Sequence, residues 1–180
     1  MHKKVYQGST DRLRRAERLE ILQVDRVVDL CLKDRDIHSV LDAGTGSGVF
    51  AEAFHQRGLK IAGIDINPQM IKAARLHVPD GEFKTGELER LPYEVNSFDL
   101  VFYAHALHEA DSLEKALSEA KRVASKYVAA LEWQFKITKH GPPLRHRIKV
   151  GRLRKLAKKL GFTNVDVKLI GRQNLFLLTI

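Results

Sequence analysis

Cysteine occurs once in the 180 residues, at Cys31. One thiol excludes an intramolecular disulfide framework and any multi-cysteine zinc site. No apolar run approaches the ~18 residues of a membrane span. The first residues, Met1-His2-Lys3-Lys4-Val5-Tyr6-Gln7-Gly8, lack the apolar core of a secretory leader, so the cytoplasm is the expected compartment. No internal repeat, low-complexity tract or Ser/Pro-rich linker divides the chain, and one domain over 1–180 is expected. Acid is nearly missing from the last quarter. Residues 136–180 carry 12 Lys and Arg against the single Asp166, whereas residues 1–135 carry 19 against 21. The net charge of +9 therefore belongs to the C-terminal region, an asymmetry that leaves an anionic partner open.

What is present is an alternation of strand and helix patterns. Residues 9–33 read as helical, in one piece or two, with Ser9, Thr10 and Asp11 as N-cap candidates. Strands are expected at 37–42, 60–65, 82–85, 98–103 and 126–133. Helices are expected at 49–57, 67–77, 112–124 and 147–160. Asn67 and Pro68 supply an N-cap and a first helical residue. Segments 165–170 and 174–180 pair as a closing hairpin about Gly171. This order implies an α/β fold: a Rossmann-like, seven-stranded, mostly parallel sheet with a C-terminal antiparallel hairpin and helices on both faces.

The informative segment is Val40-Leu41-Asp42-Ala43-Gly44-Thr45-Gly46-Ser47-Gly48-Val49-Phe50. Glycines here follow a strand and open a helix, where a bare backbone lets a ligand approach closely. The dinucleotide pattern G-x-G-x-x-G fails, because its third glycine position is Val49. The acid Asp42 just before the turn disfavours a polyanion and favours a cationic ligand. Asp65, at the end of the second strand, can accept hydrogen bonds from both hydroxyls of a ribose.

These motifs resemble class I S-adenosylmethionine-dependent methyltransferases, over roughly residues 37–180. Asp42 to Gly48 resembles the family's first motif, and Ile64-Asp65-Ile66-Asn67 with Met70 the second. Glu87-Leu88-Glu89-Arg90-Leu91-Pro92-Tyr93 followed by Asn96 to Val101 resembles the third and fourth. The resemblance implies S-adenosylmethionine as cofactor and S-adenosylhomocysteine as product. It places Asp42 at the ammonium end, Gly44, Thr45, Gly46 and Gly48 around the methionine, and Asp65 on the ribose. Ile66 and Met70 would flank the adenine, Glu87 and Leu88 would contact its edge, and Tyr103 and Ala104 would stand by the methionine. Residues 1–36 precede the family core, which begins near His38, and are expected to form a helical lid.

Methyl transfer from a sulfonium needs a general base only where the nucleophile must lose a proton. His105 is the candidate base or substrate contact. His108, Trp133 and Arg145 are candidate acceptor contacts, with Phe135 and Arg147 beside them. No metal is implied, since the two histidines lack a supporting acid cluster. The Asn/Asp-Pro-Pro-aromatic motif of amino-methylating nucleic-acid enzymes is absent after the fourth strand. No cysteine matches a cytosine-carbon methylase nucleophile, and no Asp stands where catechol-type enzymes hold a metal. The chain is thus similar to the small-molecule branch, in the style of quinone-biosynthesis methyltransferases. The basic C-terminal region keeps an RNA or tRNA acceptor as the alternative, and a non-catalytic cofactor-binding module as a third reading.

Overall fold

In the computed structural model, residues 10–138 and 140–180 are described; Ser9, one of the N-cap candidates, lies outside them. Seven strands form one sheet: β1 (Ser39–Ala43), β2 (Lys60–Asp65), β3 (Glu82–Thr85), β4 (Phe98–Ala104), β5 (Ala124–Trp133), β6 (Asn164–Ile170) and β7 (Gln173–Thr179). Their order is β3-β2-β1-β4-β5-β7-β6. The five strands from β3 to β5 are parallel to their neighbours. The strand β7 runs antiparallel between β5 and β6. The chain runs outward from β1 through β2 to β3, then returns to β4 on the other side of β1. Between β1 and β4 the winding reverses, and in such sheets the crevice at the strands' carboxyl ends receives ligands.

The helices are α1 (Thr10–Leu13), α2 (Ala16–Leu22), α3 (Val24–Leu32), α4 (Val49–His55), α5 (Pro68–His77), α6 (Leu113–Val123) and α7 (Val150–Lys159). Alternation along the strands divides the core in two. On β4, Leu100 and Phe102 join the cluster under α3, α4 and α5. Val101 and Tyr103 join the cluster under α6 and α7. Helices therefore cover both faces. Among the described residues no helix is long and apolar enough to cross a membrane.

Three local readings need correction. The N-terminal segment is three helices, because Gln23 adopts φ +48° and ends α2 where α3 begins. The last helix starts at Val150, three residues later than its pattern suggests, because Arg147 is extended and its side chain is spent on the preceding loop. Thr10 and Asp11, the other N-cap candidates, lie inside α1 instead, whereas the cap at Asn67 forms as expected. Asn67 accepts from Gln69 N with Pro68 in the first turn, and Ser112 accepts from Lys115 N.

Candidate active site

A cavity of about 500 Å³ opens at the winding reversal. Its floor is the turn after β1. There Gly44 N and Thr45 N both donate to Ile64 O at 2.8 Å, tying the turn to the end of β2. Gly44 has φ +79°, and a Cβ on it would stand 2.5 Å from Ala106 Cβ. Only glycine fits between the β1 turn and the turn after β4.

Asp42 is buried, and Thr45 Oγ1 donates to its Oδ2 at 2.8 Å. Its Oδ1 has no partner. Burial pushes the carboxyl up to about 7, and the nearby Asp65 adds to the rise. That oxygen is an unsatisfied acceptor sealed from solvent, in a residue that lines the cavity. Asp65 is half-buried. Its Oδ2 accepts from Gly46 N and its Oδ1 from Asn67 N, each at 2.9 Å. Burial raises its pKa against those two bonds. Each oxygen keeps a lone pair, so the pair of ribose hydroxyls fits. Ile66 and the buried Met70 line the cavity beyond Asp65, with Glu87 and Leu88 opposite. Arg122 holds the segment after β3 in place by donating to Leu91 O and Tyr93 O.

Asp42, Gly44, Thr45, Gly46, Asp65, Ile66, Met70, Glu87, Leu88 and His105 are thus brought to one cavity. Five other expected residues are not. Gly48 turns toward α5, where a Cβ would meet Ala74 at 3.0 Å. Tyr103 is fully buried on the α6 face of β4 and donates to Ala116 O at 3.2 Å. A strand's successive side chains alternate faces, which removes Tyr103 from the cavity that its neighbour Ala104 lines. His108 is buried, with Nδ1 2.7 Å from Glu132 Oε2. Trp133 is buried behind His105, the rings stacked with centroids 4.7 Å apart. Arg145 is exposed on a short 3₁₀ turn (Leu144–His146) outside the cavity.

Arg147 is a structural clamp. It donates to the carbonyls of Pro142, Gln134, Lys136 and His140 and to Thr138 Oγ1, and it lies over Trp133. Phe135 is partly exposed, capped by Lys149.

His105 has φ +55° and is 8% exposed. Burial holds its imidazole neutral, well below the usual histidine range, with Arg18 and His108 adding to the effect. Gln173 lies beside the ring and weakly favours the charged form, but neither ring nitrogen completes a hydrogen bond and both are sealed from solvent.

The sequence reading missed Leu13, Arg18 and Leu22 from the N-terminal helices, and Glu109 and Lys115 beyond β4, all of which line the cavity. Glu109 stood beside the two histidines that drew attention. No local pattern marked the N-terminal residues, because their faces are set by packing. Among the described residues no group of three or more His, Cys, Asp or Glu could hold a metal ion.

The sheet order and the cavity at the β1/β4 reversal define a Rossmann-like fold with a crevice where such sheets receive ligands. Residues 41–127, just under half the chain, match a methyltransferase-domain family. The demethylmenaquinone methyltransferase of Renibacterium salmoninarum is 34% identical over 84 residues, which are 47% of this chain and 35% of that protein. The chain thus spans about a third of the length of the curated relatives it matches. The crystal structure of a SAM-dependent methyltransferase from Aquifex aeolicus superposes with a TM-score of 0.79 at 22% identity, covering 96% of this chain and 98% of that one. A magnesium protoporphyrin IX methyltransferase from Synechocystis with bound SAM superposes at 0.72 and 18% identity, covering 98% of this chain and 88% of that one. The chain shares the fold of these solved methyltransferases, and over residues 41–127 its sequence is similar to the methyltransferase-domain family.

Proposed function

We propose that the chain transfers a methyl group from S-adenosylmethionine to a small-molecule acceptor bound in the same cavity, in the cytoplasm. The supporting observation is a cavity of about 500 Å³ lined both by the residues expected to bind the cofactor and by Leu13, Arg18, His105 and Glu109. The volume lies within the range of small-molecule sites. The named relative acts on demethylmenaquinone, which is consistent with a small acceptor.

The cofactor supplies a methyl on a sulfonium, a good leaving group. The chain's own residues bind, orient and exclude water. Asp42 would pair with the ammonium and Asp65 with the ribose hydroxyls. Ile66 and Met70 would enclose the adenine, with Glu87 and Leu88 at its edge. Apolar walls at the partly buried Ala104 and the buried Ala106 would keep water from the reacting centre, so that positioning and desolvation carry much of the rate.

Calorimetry with S-adenosylmethionine, S-adenosylhomocysteine and NAD tests the cofactor reading. Binding of the first two and none of NAD is expected; the reverse order overturns it. Transfer of a labelled methyl to a small-molecule panel, rather than to RNA, then tests the acceptor reading.

A further inference from the structure

Three titratable side chains follow β4 within five residues, and the structure gives them different surroundings. His108 is tied to the buried Glu132. The ring nitrogens of His105 are sealed, and burial keeps the ring neutral. Glu109 alone of the three has a carboxylate that lines the cavity without a hydrogen bond or ion pair to any described residue. Its backbone is fixed by Glu109 N donating to Ala106 O at 2.9 Å, in a 3₁₀ turn (Leu107–Glu109) that follows the end of β4. Within the cavity this turn adjoins Ala104 and Ala106, across from the glycine turn of β1.

We propose that Glu109 is the acceptor-side base of this site and that the acceptor is a small amine, bound as its ammonium and deprotonated by Glu109 before methylation. This rests on the methyltransferase reading above. An ammonium has no lone pair and cannot attack carbon. Transfer of its N–H proton to the Glu109 carboxylate frees the pair. That pair forms the N–CH3 bond while the C–S bond breaks, its electrons passing to sulfur to give the neutral thioether. The proton then leaves Glu109 for solvent.

The surroundings suit this work. Asp42, Asp65, Glu87, Glu89 and Asp111 line the same cavity as Glu109, against the cations Arg18 and Lys115, so acids outnumber bases there. Burial pushes Glu109 up to about 7. Its pKa is set by His108 on its own turn, Glu132 on β5, Asp65 at the end of β2 and Arg18 on α2, while Lys115 of α6 and Asp111 also line the cavity. Glu132 and Asp65 raise its pKa, whereas His108 and Arg18 oppose them. A carboxylate with a pKa near neutrality both holds an ammonium and accepts its proton.

The test uses the full chain saturated with S-adenosylhomocysteine, titrated with 2-phenylethylamine, 2-phenylethanol and phenylacetate. The amine should bind at least about tenfold tighter than the alcohol, with phenylacetate weakest. Its affinity should fall as pH drops from about 8 to about 6 and Glu109 protonates. Glu109→Gln should abolish the preference and its pH dependence while S-adenosylhomocysteine still binds. With S-adenosylmethionine, mass spectrometry should find the methyl on nitrogen. Equal or tighter binding of the alcohol or phenylacetate overturns the proposal. So does no amine binding to the complex, or a Gln variant that keeps the preference. Failure of wild-type protein to bind S-adenosylhomocysteine removes the underlying methyltransferase reading as well, and is read in a separate titration.

Discussion

Asp42 is a buried carboxyl that costs the fold stability. Its carboxyl is raised to about 7, chiefly by burial, against an ordinary value near 4. Between these values the folded chain holds a proton that the unfolded chain has lost, so stability falls as pH rises through that window. The upper limit is about 4 kcal/mol, from roughly three pKa units. Asp42→Asn should therefore flatten the pH dependence of unaided stability and match or exceed wild type at pH 8. It should weaken cofactor binding by about tenfold or more, as for the loss of a charged hydrogen bond. Urea unfolding at several pH values, beside calorimetry, reads both. Asp65→Ala has a different signature, because it also strips acceptors from Gly46 N and Asn67 N. It should cost affinity and loosen the turn together. Gly44→Ala meets Ala106 at 2.5 Å with φ at +79°. A destabilisation of about 2–4 kcal/mol is expected, from overpacking plus the left-handed backbone, and denaturant titration measures it.

At the scale of elements, the loop between β5 and α7 hangs on one side chain. Arg147 gathers four carbonyls and a hydroxyl from 134–142, and its guanidinium covers Trp133, which backs His105. Arg147→Ala should speed amide exchange across 134–142 far more than in β1 or β4, with a global loss of about 1–3 kcal/mol. Exchange uniform with the sheet would count against a local clamp. The sequence offered Trp133 and the arginines as acceptor contacts because aromatic and guanidinium groups serve both recognition and packing. Only burial separates those roles. The N-terminal helices present a related case. Helix α3 packs on α4 through Val27, Val28 and Cys31, inside the main core. Leu13 of α1 and Arg18 of α2 reach the cavity instead. If this segment acts as a lid, ligand should slow exchange in α1 and α2 and leave α3 unchanged.

For the whole molecule, two apolar clusters sandwich one sheet, and the cavity draws on β1, β2 and β4 together. A ligand that bridges their ends binds only the folded state. S-adenosylhomocysteine at a hundred times its dissociation constant should add about 2.7 kcal/mol. That corresponds to a melting shift of roughly 5–10 °C for a chain of this size. A scan with NAD should show none. The C-terminal charge has a plain structural setting: Arg152, Arg154, Lys155 and Lys158 stand exposed on α7, whose Leu153 and Ala157 are buried against the sheet. That amphipathic division places the basic side chains on the solvent face of α7.

The sequence by itself determined the strand and helix order, the closing hairpin, the glycine turn and its acid. These rest on interactions among near neighbours: period-two and period-3.6 hydrophobicity, caps, and the backbone freedom of glycine. It also determined that the glycine turn and Asp65 share a cavity, because a turn after β1 and an acid after β2 meet whenever adjacent parallel strands end together. Tertiary structure alone decided which face Tyr103 takes, that His108 spends itself on Glu132 24 residues away, and that Trp133 and Arg147 serve a loop. It alone left Glu109 unpartnered in the cavity. Burial and long-range pairing set those roles, and neither is written in the spacing of a local motif.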